Sequence, residues 1–359
     1  MNFQKVEIDN PILISLWRSL DGGPETCVFQ QYDFIKTWLD NFQDKTITPF
    51  IYLVYEGDSP VGILPFYILR THRYFIPVSE LRLLGDEGIG SNYLTAFLGK
   101  IDKAVWTAFK SKYQSKWSLT RFKMLSASFA KYFDYCEQGL SLSFTSYDGT
   151  ICPRIQRIGG IDDFLSLTKG KKRNKFKRIL KNYDQNSDLT IQWVNDFDKL
   201  SPLWEDITRL AKSRFKDKEV VGGFAEEEFE NFHHLFLKRS INRNWVFALL
   251  KEGNQLIGFH YYYHDMDSIF FYQGGISTDH YQLSPGLLLH LLCIRHAKEF
   301  IGLDSFIYDF LEGDERYKFE FTKEVNRLYE VVSSNKRLWE LAINLNKKFS
   351  ARSVGGSDA

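Results

Sequence analysis

Two stretches of the chain repeat one pattern of apolar and polar positions. Residues 51–67 read IYLVYEGDSPVGILPFY and residues 247–263 read FALLKEGNQLIGFHYYY. Each is an apolar run, Glu-Gly, a few turn residues, an apolar position, a glycine and a second apolar run. That order predicts a β-hairpin: strand, glycine-containing turn, strand. Gly57 corresponds to Gly253 and Gly62 to Gly258. An aromatic-rich stretch of helical character precedes each hairpin, at 32–42 and 226–238, and more strand-like sequence follows. The echo predicts a duplicated α/β unit, since two copies are too few for a solenoid.

The remaining pattern fills in both halves. Strands are expected at 78–84, 122–125 and 140–146, with a Gly-rich loop at Gly85, Gly88 and Gly90 and a helix over 102–112. Asp148-Gly149-Thr150 and Gly159-Gly160 read as turns, and the boundary between the halves falls there: 1–156, 157–350 and a small polar tail at 351–359. In the second half, 162–167 reads as a short helix capped by its aspartates. Trp204, Ile207, Leu210 and Ala211 have helical spacing, as do Phe229, Phe232, His233 and Phe236. Strands are expected at 268–277, 305–311 and 325–333. Helices are expected at 287–300, which is strongly apolar, and at 336–349.

Composition narrows the class. A length of 359 residues favours two domains, and 44% hydrophobic with 16% aromatic content is enough for substantial cores. The net charge of +1 argues against a global polyanion binder, so any affinity of that kind belongs to a local patch. Cys27, Cys136, Cys152 and Cys293 lie far apart and share no zinc-ligand spacing with the histidines, which predicts reduced thiols and no metal. The first residues lack a signal-peptide pattern and no apolar run is long enough to span a bilayer. The expected location is the cytoplasm.

Three segments carry candidate chemistry. Lys169, Lys171, Lys172, Arg173, Lys175, Lys177, Arg178 and Lys181 flank an apolar stripe of Phe176, Ile179, Leu180 and Tyr183. Such a helix is either a solvated face or an anion site. Ser284-Pro285-Gly286 reads as a helix start, with Ser as N-cap and Pro at the first helical position, which suits a phosphate. Third, Asp309, Glu312, Asp314 and Glu315 crowd the end of an apolar run, with Tyr317 and Lys318 just beyond. Neither a Gly-x-Ser-x-Gly elbow nor a Walker loop occurs.

Taken together these segments are similar to a known family. Lys171-Lys172-Arg173-Asn174-Lys175, Ile257-Gly258-Phe259, Tyr272-Gln273-Gly274-Gly275, Leu283-Ser284-Pro285-Gly286 and Tyr308-Asp309-Phe310-Leu311 with Gly313-Asp314 and Tyr317-Lys318 give the second half a resemblance to the GNAT-type acyltransferases. The chain looks most like the CelD-like acetyltransferases that occur with bacterial polysaccharide and cellulose synthesis. The related Fem-type aminoacyltransferases also carry two such units. The resemblance implies an α/β (α+β) fold of two tandem GNAT-like units, each a mixed central sheet flanked by helices, the first of them degenerate. It also implies acyl transfer from acetyl-CoA or another acyl-CoA to a sugar, amine or similar small acceptor, without a metal. One departure stands out. The GNAT pyrophosphate loop is Gln/Arg-x-x-Gly-x-Gly/Ala, whereas Gln282-Leu283-Ser284-Pro285-Gly286-Leu287 is out of register and has one glycine.

The implied roles follow residue by residue. Tyr317 is the candidate acid for the leaving thiolate, and Asp309 and Glu312 are candidate bases. His260 could face the acceptor. Gln273, Gly275, Gln282, Ser284, Gly286 and Arg173 are placed on the cofactor, and Lys318, Asp314 and Tyr272 on the substrate. Asp309 has a structural alternative, capping a turn or pairing with Arg316 or Lys318. Two other functions stay open: a Fem-like enzyme using aminoacyl-tRNA, and a non-catalytic scaffold of a polysaccharide synthesis complex. No stable nucleic-acid partner and no transmembrane segment are expected.

Overall fold

The structure, a computed structural model, describes residues 1–23, 26–42, 46–73, 76–213 and 223–334. The helix expected at 336–349 and the tail from 351 lie outside them. The chain forms two compact units. One is Met1–Thr150 together with 327–334, the other Ile151–Asn326. Among the described residues no helix is long and apolar enough to cross a membrane.

The first unit runs β1 (Asn2–Val6), α1 (Pro11–Leu20), α2 (Tyr32–Phe42), β2 (Ile47–Glu56), β3 (Ser59–Arg73), β4 (Ile76–Leu83), β5 (Leu98–Gly99), α3 (Lys103–Tyr113), β6 (Leu119–Ser126), α4 (Ala127–Glu137) and the first part of β7 (Ser143–Ile158). Helices α1, α3 and α4 begin where side chains satisfy free N–H groups: Asn10 accepts from Ile12 and Leu13, Asp102 from Val105, and Ser126 from Phe129. Helix α4 was not anticipated from its pattern. Asp148-Gly149-Thr150 is not a turn but lies inside β7. A Cβ on Gly149 would come 3.2 Å from the Leu328 carbonyl oxygen, so the glycine serves a close approach of backbones.

The second unit continues with α5 (Ile161–Leu167), α6 (Gly170–Gln185), β8 (Leu189–Val194), α7 (Phe197–Leu200), α8 (Trp204–Ser213), α9 (Glu227–Arg239), β9 (Trp245–Glu252), β10 (Gln255–His264), β11 (Ser268–Ile276), α10 (Pro285–Ile301), β12 (Phe306–Asp309) and α11 (Lys318–Phe321). The aspartates of 162–167 do not cap α5 from its N-cap position, which is Gly160; Asp163 instead accepts from Gly159 N at 2.9 Å. Strand β13 (Val325–Ser334) then leaves this unit and pairs antiparallel with β6 in the first.

The sheet of the second unit runs β7-β12-β11-β10-β9-β8, antiparallel except for the parallel pair β11–β12. One face packs against α5, α6 and α10 through Val246, Ala248, Leu250, Tyr262, Ile269, Phe271 and Tyr308. The other face carries Phe247, Phe259, Tyr261 and Tyr272 toward α8, α9 and the short 3₁₀ turn Gly223–Ala225. The echoed hairpins are β2–β3 and β9–β10. Their turns hold Gly57 and Gly253 at φ of 61° and 56°. Gly62 and Gly258 sit opposite Val54 and Leu250, each beside an irregularity in the ladder. The repeat of sequence is therefore a repeat of register.

Candidate active site

Strands β11 and β12 pair only from Ser268↔Ile307 to Phe270↔Asp309. Strand β12 ends there, while β11 runs on to Ile276 paired with β10. Beyond Phe270 the two strands part, and that edge of β11 loses the ladder of its parallel neighbour. Just past the pairing, β11 carries a bulge. Tyr261 faces Gln273 but Tyr262 faces Phe271, so Tyr272 is the extra residue and its side chain is re-aimed. The next two glycines let both faces of the strand be approached closely. A Cβ on Gly274 would meet His260 Cδ2 at 2.6 Å, and one on Gly275 would meet the Leu210 carbonyl carbon at 2.6 Å. Gly275, expected on the cofactor, thus makes room for the backbone of α8.

Helix α10 begins just after β11. Ser284 does not act as a side-chain N-cap. It is left-handed, with φ 52° and ψ 51°, and its side chain makes no capping hydrogen bond; its main-chain oxygen accepts from Leu288 N at 2.9 Å. Pro285 occupies the first turn as expected. A Cβ on Gly286 would meet only Ile276 Cγ2, at 3.9 Å, so the surface of this first turn is open. Gln282 and Ser284 line a small cavity of about 70 Å³ with Arg178, Asn182 and Tyr183.

On the α10 side of the sheet a buried polar cluster adjoins the parting strands. His260 Nδ1 is 2.8 Å from Tyr262 Oη, and His290 Nδ1 is 2.6 Å from Tyr308 Oη. The Cys293 thiol, fully buried in the same core, is influenced by both tyrosine hydroxyls. The rings of His260 and His290 are 4.3 Å apart, and Tyr317 stacks on His290 at 5.7 Å and 16°. Burial holds His290 well below the usual imidazole pKa, with the charge of Lys318 adding to the effect. Burial likewise raises the hydroxyls of Tyr262 and Tyr308 and the thiol of Cys293. His290, Tyr262, Tyr308 and Cys293 are therefore all held toward their uncharged forms. Sequence reasoning found His260 and Tyr317 but missed His290, Tyr262, Tyr308 and Cys293. The available signal was one imidazole in the apolar stretch of α10.

The acidic segment is a turn held from inside. The expected alternation of 308–311 along a strand fails, because β12 stops at Asp309 and Leu311 has φ 54°. Asp309 is 2% exposed, and its Oδ1 accepts from Leu311 N at 2.7 Å, so it closes the turn. Lys318 is equally buried. Its ammonium has three donors, and they reach the Leu311 carbonyl at 3.3 Å, the Glu312 carbonyl at 2.5 Å and Glu315 Oε2 at 2.9 Å. Expected to bind substrate, Lys318 instead staples the loop. Gly313 has φ 115°, and a Cβ there would run into the Glu315 carboxylate and Lys318 Nζ. Glu312 is half-buried. Burial raises its pKa above the ordinary value, Lys318 pulls it back and Glu315 raises it again. Asp314 points to solvent.

Tyr272 lies on the opposite face. Its hydroxyl is 3.1 Å from His233 Nε2 and its ring stacks on Phe229 at 6.0 Å. Burial raises its pKa well above that of a free phenol, with further pushes from Tyr263 and from the charge of Glu312. The Gln273 side chain packs over Gly223. Arg173 turns away from these groups: its Nε donates to the Thr168 carbonyl at 2.6 Å. Lys172 and Lys175 reach Phe319 O and Glu320 on α11, while Lys171, Lys177, Arg178 and Lys181 are exposed. The fold thus brings His260, Tyr272, Asp309, Glu312, Tyr317 and Lys318 around the parting strands. It sets Gln282, Ser284 and Gly286 at the start of α10 and leaves Arg173 and Asp314 outside.

Residues 170–319, from α6 into α11, match the model of the acetyltransferase (GNAT) domain. The chain is similar to the crystal structure of FemX, at 11% identity over 95% of this chain and 99% of that one, with a TM-score of 0.59. It is also similar to a conserved protein of unknown function from Bacteroides thetaiotaomicron (11% identity, 92% and 99% covered, TM-score 0.57). A third likeness is to the C-terminal domain of a putative lysylphosphatidylglycerol synthetase from Agrobacterium fabrum (11% identity, 86% and 94% covered, TM-score 0.52). At such identities these likenesses speak for the fold alone. No curated protein matches the chain. Residues 170–319 thus match an acetyltransferase domain of the GNAT type, and this match supports an acyltransferase.

Proposed function

We propose that the second unit transfers an acyl group, acetyl in the simplest case, from an acyl-CoA to the amine or hydroxyl of a small acceptor such as a sugar or polysaccharide precursor. The observation that carries this reading is the parting of β11 from β12 beside the open first turn of α10. The free edge of β11 offers backbone partners to an extended amide-containing arm, and the N–H groups of Gly286 and Leu287 suit a pyrophosphate. Bound there, an acyl-CoA would supply an activated thioester. Glu312 then takes the proton of the acceptor nucleophile, a role that a carboxyl made more basic by burial is suited to fill. Backbone N–H groups on the parted edge face the carbonyl oxygen as charge develops on it. Tyr317, fixed by its stack on His290, gives its proton to the departing sulfur. The reaction belongs in this reading to the cytoplasm, beside the polysaccharide synthesis machinery.

A second reading, an aminoacyl-tRNA donor, draws on the exposed Lys171, Lys177, Arg178 and Lys181 of α6 and on the full-length likeness to FemX. Thermal unfolding with acetyl-CoA, CoA and charged tRNA separates the two. A donor at a thousand times its Kd stabilises the native state by about 4 kcal/mol. A clear rise in melting temperature with acetyl-CoA is expected. No rise at saturating acetyl-CoA or CoA, with salt-sensitive binding of tRNA, sinks the first reading.

A further inference from the structure

Arg154 has no part in the reaction as drawn above, yet it stands beside the parting strands. On β7 it lies directly opposite Asp309, the last residue of β12. Asp309 in turn pairs with Phe270 of β11, and Phe270 with Tyr263 of β10. Residues paired across a ladder share a side of the sheet, so Tyr263, Phe270, Asp309 and Arg154 form one row over four strands. Successive residues alternate between faces, and the neighbours Ile155 and Tyr308 belong to the core under α10. The row therefore lies on the opposite side, where Tyr263 packs on Phe236 of α9. The loop after β12 runs along the same stretch of β7. Phe310 N donates to Pro153 O at 2.9 Å, and Gly313 N donates to Ile151 O at 3.0 Å. Arg154 and the loop that carries Glu312 are thus held by adjoining backbone.

What marks this arginine is a charge without a partner among the described residues. Its side chain makes no hydrogen bond and no ion pair there, and its Nε is buried. Asp309 stands directly across the ladder, but its carboxylate accepts from Leu311 N and no ion pair joins the two. By contrast Arg82 and Arg295 both pair with carboxylates. Arg154 is half-buried and its terminal nitrogens reach solvent. A guanidinium offers five donors in a planar fork that fits a carboxylate or a phosphate. Leaving one of them buried and unsatisfied disfavours the folded state, and a ligand anion supplies the missing acceptor. We propose that Arg154 binds an anionic group of the acceptor, a carboxylate or a phosphate, on the side of the sheet away from α10. The acceptor class is then an acidic or phosphorylated sugar, or a similar small anion with an amine or hydroxyl to acylate. This rests on the acyl-transfer reading, in which the acceptor nucleophile reaches Glu312 at the gap between β11 and β12. The row leads from Arg154 over the end of β12 to that gap. A molecule anchored by its anion at one end presents its nucleophile at the other. Arg154 selects the acceptor and moves no proton.

The test uses the full chain labelled with nitrogen-15 arginine, in which the Arg154 Nε–H resonance is assigned by its loss in Arg154→Lys. Inorganic phosphate, acetate and neutral methyl glucoside are titrated in turn, with sodium chloride holding the ionic strength, both with and without saturating CoA. Phosphate or acetate should shift the resonance saturably in at least one of these conditions, while methyl glucoside and chloride leave it in place. The tighter of the two anions tells a phosphorylated acceptor from a carboxylic one. A resonance that neither anion moves, or that chloride moves as far, overturns the proposal. Stability separates binding from structure. Replacing a partly buried charge that has no partner by an apolar side chain does not weaken a fold, so Arg154→Leu should melt at or above the wild-type temperature. A lowered melting temperature would show an arginine kept for the fold and would also overturn the proposal. Neither measurement needs a thioester, which keeps the two claims apart. A saturable shift at Arg154 in a chain whose melting temperature neither acetyl-CoA nor CoA raises removes the donor reading and leaves the anion site. A melting temperature raised by acetyl-CoA with an unmoved Arg154 resonance does the reverse.

Discussion

At the scale of single residues, the acids around the parting strands divide by what holds them. Asp309 accepts from Leu311 N, while Glu312 has its carboxyl half-buried within the fields of Lys318 and Glu315. Desolvation is the largest influence on Glu312 and favours the protonated form, so its folded-state pKa lies above the ordinary 4.5. The sign for stability follows by linkage. Below 4.5 the group is protonated in both folded and unfolded chains and contributes nothing. As pH rises through the interval up to the folded value, the unfolded chain ionises first and stability is lost. Glu312→Gln should therefore match the wild type in urea melts at acidic pH and exceed it at neutral pH. Turnover should fall about 10² to 10⁴-fold, the usual share of a general base. The acidic limb of the wild-type rate profile should also lie above the normal glutamate range. A variant less stable than wild type at neutral pH, with undiminished turnover, would falsify both the burial argument and the assigned role.

At the scale of elements, helix α8 sits on β11 with no side chain between them, since the Leu210 carbonyl carbon is 2.6 Å from where a Gly275 Cβ would be. Neither backbone can yield by a rotamer change. Gly275→Ala should destabilise by about 1 to 3 kcal/mol, the range for overpacking, read as a lower urea midpoint; an unchanged midpoint would mean that α8 shifts freely. This contact also marks where the sequence was legible. The hairpins could be read because Gly57 and Gly253 turn the chain where alternation breaks, a local cause. Helices α6, α8, α9 and α10 could be read from their stripes. The misreadings have non-local causes. Asp148-Gly149 has turn chemistry, yet Gly149 is glycine because Leu328, far along the chain, passes beside it. Ser284 has capping chemistry, yet its backbone is left-handed and its side chain makes no capping hydrogen bond. The same holds for the site. Asp309, Glu312 and Tyr317 share one short segment and could be found together. His290 joins His260 and Tyr308 only because α10 folds back over β10 and β12, and a lone histidine in an apolar helix reads as core.

At the scale of the whole chain, the two units share a topology and differ in what fills the place where their parallel strands part. In the first unit β4 and β6 pair at Glu80↔Leu119 and Leu81↔Thr120. Strand β6 then runs on to Ser126, and the unit's own chain returns to it: Leu94 bridges Leu125 in parallel, and Leu94 N donates to the Met124 carbonyl at 2.8 Å. A buried ion cluster anchors the start of that returning segment, with Arg82 2.8 Å from Asp86, 3.2 Å from Glu80 and 2.5 Å from Glu87, and Tyr67 donating to Asp86 at 2.7 Å. The first unit thus fills the space beyond its parallel pair with its own returning chain, bonded to β6, whereas the second unit leaves the β11 edge of the corresponding space to a donor. If the donor needs that edge, each chain binds one acetyl-CoA, and it does so at α10. Gly286→Asp tests this without disturbing packing, because the added Cβ meets nothing closer than 3.9 Å and an acid in a first helical turn stabilises the helix by about 0.3 to 1 kcal/mol. The same charge repels a pyrophosphate from the free N–H groups. Titration calorimetry should give one site in the wild type and none in Gly286→Asp, with the melting temperature of the variant unlowered. Two sites in the wild type, or one that survives the substitution, would show that the segment carrying Leu94 gives way and that the first unit binds a donor as well.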